Sequence, residues 1–147
     1  MKDFWTFTKE SLEADNSIIN KILKEQATLL AKKTDGVLQG KVSNRVIMGF
    51  HEENLIETAF EVSVPNLENY VTSLFYVYSK PEENFPAYIT FERVPEHIIK
   101  KERIKAIFHD KGSFRINSES EIDEIIGIVF SSSHVNDPIT VLYQKAK

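Results

Sequence analysis

The sequence predicts an α+β fold: an N-terminal helix, an antiparallel sheet of four to five strands, and C-terminal helices packed on the sheet. Three observations carry this. Apolar residues recur at helical spacing from Asp15 to Lys33 and again from Ile122 to Phe130. Between Val37 and Phe91 the period changes to two. The connections between those alternating runs are short and hairpin-like, with no room for a crossover helix, so a parallel βαβ sheet is not expected.

The first helix is drawn by Ile18, Ile19, Ile22, Leu23, Ala27, Leu30 and Ala31, which form one apolar stripe. Asp15, Asn16 or Ser17 supplies an oxygen for an orphaned backbone N–H at its start. Lys32 and Lys33 suit the negative end of the helix dipole, and Asp35-Gly36 stops it. Ahead of it, Phe4, Trp5 and Phe7 crowd the N-terminus and are expected to plug the core.

A short strand, Val37 to Val42, is broken by Gly40 and followed by an expected turn at Ser43-Asn44. Val46, Met48 and Phe50 then alternate with Arg45, Ile47 and Gly49 up to the polar turn His51-Glu52-Glu53-Asn54. Ile56, Thr58, Phe60, Val62 and Val64 alternate with Glu57, Ala59, Glu61 and Ser63, a strand with one wet face. In Tyr70 to Ser79, Val71, Phe75 and Val77 fall on one face and Leu74, Tyr76 and Tyr78 on the other. Both faces are apolar enough to predict a central strand that is covered on both sides or covers a partner. Ala87, Ile89 and Phe91 begin a further strand.

The last third returns to helix, with interruptions. Pro95 to Phe108 reads as a short exposed helix, and Ser113 to Ile116 as a brief strand. Ser118-Glu119-Ser120-Glu121 matches a capping box ahead of the stripe Ile122, Ile125, Ile126, Val129 and Phe130. Asp137-Pro138 is expected to open a final helix, with proline where its missing N–H costs nothing. No repeat or linker divides the chain, so residues 1–147 are expected to form a single domain.

Composition narrows function mainly by exclusion. The net charge of −4 and a pI near 5.6 disfavour nucleic-acid binding, which needs a surplus of Lys and Arg against phosphate. The densest basic run, Lys100 to Lys105, is interrupted by Glu102 and reads as a solvated helix face. The chain has no cysteine, hence no disulfide, thiolate nucleophile or thiolate metal site. Asp3 and the lack of an apolar run argue against a secretory signal at Met1 to Thr6, and no stretch nears the ~20 apolar residues of a membrane span. A cytoplasmic protein is expected, with neither nucleic acid nor membrane among its partners.

The chemistry-bearing residues form no recognised constellation. The histidines, His51, His97, His109 and His134, show no metal-ligand spacing. His51-Glu52-Glu53 and His109-Asp110 read as turns, and Asp137 as a helix cap. Nucleophile-elbow and phosphate-loop patterns are lacking. Glu57 and Glu61, on one strand face, read as solvated acids. No cofactor, metal or catalytic residue is expected.

The tyrosines are the one suggestive group. Tyr70, Tyr76, Tyr78 and Tyr88 fall on neighbouring strands, and a tyrosine offers both apolar area and a polar tip. A cross-strand aromatic ladder explains them by packing; a binding surface explains them by function. The leading functional expectation is a non-catalytic interaction module that binds another protein or itself, of the kind seen among small acidic adaptor and neutralising proteins. The alternative is a small-molecule binder or enzyme whose pocket lies between sheet and helices, with the tyrosines lining it and His51-Glu52 or His109-Asp110 supplying polar groups.

Overall fold

The computed structural model describes residues 1–4, 17–48, 54–90, 108–110, 113–131 and 133–147. Helix α1 (Ile18–Lys33) leads into strands β1 (Gln39–Met48), β2 (Asn54–Val64), β3 (Tyr70–Ser79) and β4 (Ala87–Thr90). Strands β5 (Phe108–Asp110) and β6 (Ser113–Ile116) follow, then helices α2 (Glu119–Phe130) and α3 (Ser133–Ala146). The α+β architecture is therefore as the sequence predicts. The antiparallel sheet has the order β1-β2-β3-β4-β6-β5: a four-strand meander, β6 beside it, and the three-residue β5 added at the far edge.

Local chemistry accounts for the first helix. Ser17 Oγ accepts the Asn20 amide at 3.1 Å, and Asn84 Oδ1 accepts the Ile18 amide at 3.2 Å, so two amides of the first turn are satisfied. At the other end Asp35 and Gly36 both have positive φ, 50° and 80°. Gly36 N–H reaches Ala31 O at 2.8 Å and Asp35 N–H reaches Lys32 O at 3.4 Å, the bonding of a Schellman cap. Thr34 Oγ1 donates to Leu30 O at 2.9 Å and accepts the Leu38 amide at 3.1 Å, which joins the helix end to the start of β1.

The helices all pack on one side of the sheet. Ile19, Ile22 and Leu23 of α1, Ile122, Ile125 and Ile126 of α2, and Val135 and Ala146 of α3 share one core with Phe60, Val62, Val64, Phe75, Val77, Ala87, Ile89, Phe114 and Ile116. Phe60 and Phe75 stack with centroids 5.5 Å apart, and Phe130 tilts against both at 5.5 and 5.7 Å.

Several local expectations are corrected. Ser43-Asn44 is no turn: β1 runs unbroken through it, in register with β2 from Gln39↔Ser63 to Met48↔Asn54. The two polar residues are accommodated by cross-strand bonds, Ser43 Oγ to Glu61 Oε1 and Thr58 Oγ1 to Asn44 Oδ1, both 2.7 Å. Gly40 does not interrupt the strand; it lets α1 approach, since a Cβ there would lie 2.5 Å from Ala27 Cα. Helix α3 begins at Ser133, a turn earlier than expected, so Asp137 is not its cap and Pro138 lies inside it. Phe4 is no plug, being 82% exposed. Trp5, Phe7, the His51-Glu52-Glu53 turn and the helix expected from Pro95 lie outside the described residues, except that Phe108 belongs to β5.

The capping box forms with one displacement. Ser118 Oγ accepts the Glu121 amide at 3.4 Å, while Glu121 Oε2 accepts the amide of Asn117 rather than that of Ser118, at 2.6 Å.

Candidate functional site

With the helices on one face, the residues that alternate with the core line the opposite face. Because directly paired residues share a face, the register defines that surface: Ser43 and Arg45 from β1, Glu57, Ala59 and Glu61 from β2, Tyr76 and Tyr78 from β3, Tyr88 from β4 and Arg115 from β6. No described helix packs on it.

Tyr76, Tyr78 and Tyr88 are thus brought together, as their spacing suggested. Tyr78 is directly opposite Tyr88, which is directly opposite Arg115, and the Tyr76 and Tyr78 rings lie 6.5 Å apart with 27° between their planes. Tyr70 is not part of the group. The β2–β3 pairing shifts between Phe60 and Glu61: Phe60 faces Phe75 and Glu61 faces Ser73, leaving Leu74 as a bulged residue. Beyond the bulge the faces exchange. Tyr70 pairs with Val64 on the helix side and Val71 with Ser63 on the tyrosine side, whereas Leu74 packs against the core. Simple alternation had placed all three the other way.

One acid orders the middle of the surface. Glu57 is only 7% exposed, not the solvated carboxylate that its sequence context suggested. Arg45 Nε donates to Glu57 Oε1 at 2.5 Å and Tyr78 OH donates to Oε2 at 2.9 Å, so each carboxylate oxygen has a partner. The Arg45 hydrogen bond holds Glu57 below the usual carboxylate range, against the opposing effect of burial. Burial first, then the bond to Glu57, pushes the Tyr78 hydroxyl up to about 12, and Glu57 raises Arg45 in turn. At neutral pH the trio is therefore arginine cation, carboxylate and neutral phenol. A carboxylate with both oxygens engaged is a poor base, and a phenol held at about 12 is a poor acid. The two hydrogen bonds on Glu57 fix the Arg45 and Tyr78 side chains relative to it. The Arg45 side chain remains 70% exposed above it.

No protein-family model matches this chain, and no curated protein or solved structure matches it significantly.

Two of the recesses among the described residues lie between the sheet and the helices. One, about 220 Å³, is an apolar cleft between α1 and α3 floored by Phe60, Leu74 and Phe130. The other, about 410 Å³, lies beside the start of α1 and is lined by Asn20, Asn44, Asn84, Thr58 and Lys80 among others; Asn20 Oδ1 is buried there with no hydrogen-bond partner among the described residues. No tyrosine lines either recess, because the tyrosine cluster is on the other side of the sheet. His109 and Asp110 belong to strand β5 rather than to a turn. Among the described residues no cluster of His, Asp and Glu has the makings of a metal site, and no helix is long and apolar enough to cross a membrane.

Sequence reasoning missed Arg45, Glu57 and Arg115 as members of the surface. The signal was partial. Arg45 alternates with Val46 and Met48, which marks its face, but only the β1–β2 register reveals that it stands over Glu57.

Proposed function

We propose that this protein is a non-catalytic interaction module that binds another protein through the open face of its sheet, with Tyr76, Tyr78 and Tyr88 at the centre and Arg45 and Arg115 at the sides. One observation carries the reading: the tyrosines are half-buried on the face without described helices, and the Glu57–Arg45 pair holds Tyr78 in position before any partner arrives. Tyrosine and arginine are enriched at protein interfaces, where rigid aromatic area is gained at little entropic cost. The net charge of −4 supports a protein partner over a nucleic acid.

The test is cross-linking mass spectrometry of the protein purified from its own host, comparing wild type with Tyr76→Ala/Tyr78→Ala. The expected result is a cross-linked partner on β2, β3 and β4 that is lost in the double variant while the melting temperature stays near wild type. Retention of the same partner by a folded double variant refutes the proposal, as do cross-links confined to the helices.

Asn20 Oδ1, buried with no hydrogen-bond partner among the described residues, favours a second reading, a small polar ligand in the 410 Å³ recess. A native mass spectrum without prior dialysis separates the two: added mass of a few hundred daltons, lost on Asn20→Leu, supports the recess and a bare chain counts against it.

A further inference from the structure

Strand β1 is an edge of the sheet. Among the described residues nothing pairs with its outer side, and it runs for ten residues without proline or bulge. Long regular edges invite pairing with another chain, and proteins commonly blunt them with bulges, prolines or inward-pointing charges. Here the two charged residues, Lys41 and Arg45, both project to the tyrosine side, opposite Glu61 and Glu57 of β2. On the helix side the end of the strand carries Val46 and Met48, 64% and 67% exposed, beyond the reach of the helices that cover Val42. A strand that is apolar on one side and charge-balanced on the other has the composition of a paired strand.

From this edge we infer that the protein self-associates, with β1 of one copy adding antiparallel to β1 of a second and joining the two sheets into one. Two registers pair nearly the whole strand about a two-fold axis, and the charges decide between them. With Ser43 opposite its own copy, Lys41 faces Arg45 on both sides of the axis, and like charges directly opposite destabilise a sheet. With Asn44 opposite its own copy, that clash is removed. Arg45 then faces Ser43 and Lys41 faces Ile47, while on the helix side the exposed Val46 comes opposite Val42 and the exposed Met48 opposite Gly40, at the margin of α1. The cations gathered near the axis are matched by Glu57 and Glu61 of each copy, which stand beside them on β2. The preferred register is therefore the one with Asn44 on the axis. The inference concerns the edge of the sheet and does not rest on the binding role of its open face.

The experiment uses the full chain, by sedimentation velocity and native mass spectrometry from micromolar to submillimolar concentration. A concentration-dependent dimer is expected. Val46→Lys, at an exposed position that leaves the monomer folded by circular dichroism, is expected to weaken it at least about tenfold because both copies contribute the position. As the chain has no cysteine, a single introduced thiol reports the register. Asn44→Cys should give a disulfide-linked dimer under mild oxidation, and Ser43→Cys should do so far less. A monomer throughout the concentration range overturns the inference, and so does a dimer indifferent to Val46→Lys. Efficient cross-linking of Ser43→Cys with none of Asn44→Cys overturns the register. Tyr76→Ala/Tyr78→Ala should leave the dimer intact, so failure of the edge and failure of the face are separately visible.

Discussion

Replacing Gly40 with alanine reverses an ordinary expectation about strands. A glycine-to-alanine change at a compatible position stabilises a protein by about 0.4–1 kcal/mol, because the unfolded chain loses freedom. At Gly40 the new Cβ falls 2.5 Å from Ala27 Cα, 2.7 Å from Ala27 Cβ and 3.2 Å from Ala27 O. Carbon atoms pack comfortably at about 3.5–4.0 Å, so helix and strand must separate by roughly an ångström. The obstruction is mainly backbone, which no rotamer change relieves, and α1 carries the buried Ile19, Ile22 and Leu23 with it when it moves. Overpacking of this kind costs about 1–3 kcal/mol, and the upper half of that range is expected. At about 3 °C per kcal/mol for a domain of this size, Tm should drop by roughly 6–9 °C. Urea unfolding followed by circular dichroism measures the same difference at constant m. Adding Ala27→Gly removes the Cβ contact but leaves Cα, so the rescue should be incomplete. A Gly40→Ala protein as stable as wild type, or more so, would refute the close approach of α1 to β1.

Four other outcomes follow from the same structure. Glu57→Gln should lower the Tyr78 titration midpoint from about 12 but not all the way to 10, because burial persists; tyrosinate absorbance during an alkaline titration reads it. With its folded value lowered, Glu57 contributes stability above the ordinary 4.5 that is lost as pH falls through the folded value, so wild type should lose stability more steeply in acid than Glu57→Gln; denaturant midpoints across that range check this. Phe130→Ala removes the ring that tilts against both Phe60 and Phe75 and should cost about 2–4 kcal/mol in a urea titration, below a fully buried phenylalanine because Phe130 is only partly covered. Pro138→Ala restores an amide inside α3, and the gain of up to about 3 kcal/mol, less the proline's effect on the unfolded chain, should raise Tm by several degrees in calorimetry.

Much of the fold was legible because one-dimensional periodicity survives folding. The stripe of α1 recurs in the buried Ile19, Ile22 and Leu23, and the alternation of β2 holds from Phe60 to Val64, while Glu57 and Ala59 are buried on the face expected to be wet. What was hidden depended on pairing. Ser43-Asn44 has turn composition, and only the partners Glu61 and Thr58 on β2 make it strand. Glu57 resembled its neighbour Glu61 in sequence, yet Arg45 and Tyr78 close over it alone. Pro138 gave a true helix signal at the wrong phase: the structure tolerates it five residues past the start of α3, where local preference would put it first. Tyr76, Tyr78 and Tyr88 were found by residue type and spacing, but the exclusion of Tyr70 depends on the bulge, which leaves no mark in the alternation.

That bulge gives the tyrosine surface an uncommon tolerance of changes in chain length. In a strand the two sides are distinguished only by odd and even position, so a residue gained or lost within regular pairing reflects whatever lies beyond it. Here the extra residue is already set outside the ladder, because β2 alternates without a break and Leu74 has no partner on it. Without Leu74, Ser73 would run straight into Phe75 and still face Glu61, Val71 would still face Ser63, and Tyr70 would still face Val64. A single codon lost at this point therefore removes a side chain from the core while the sheet offers a partner the same residues as before.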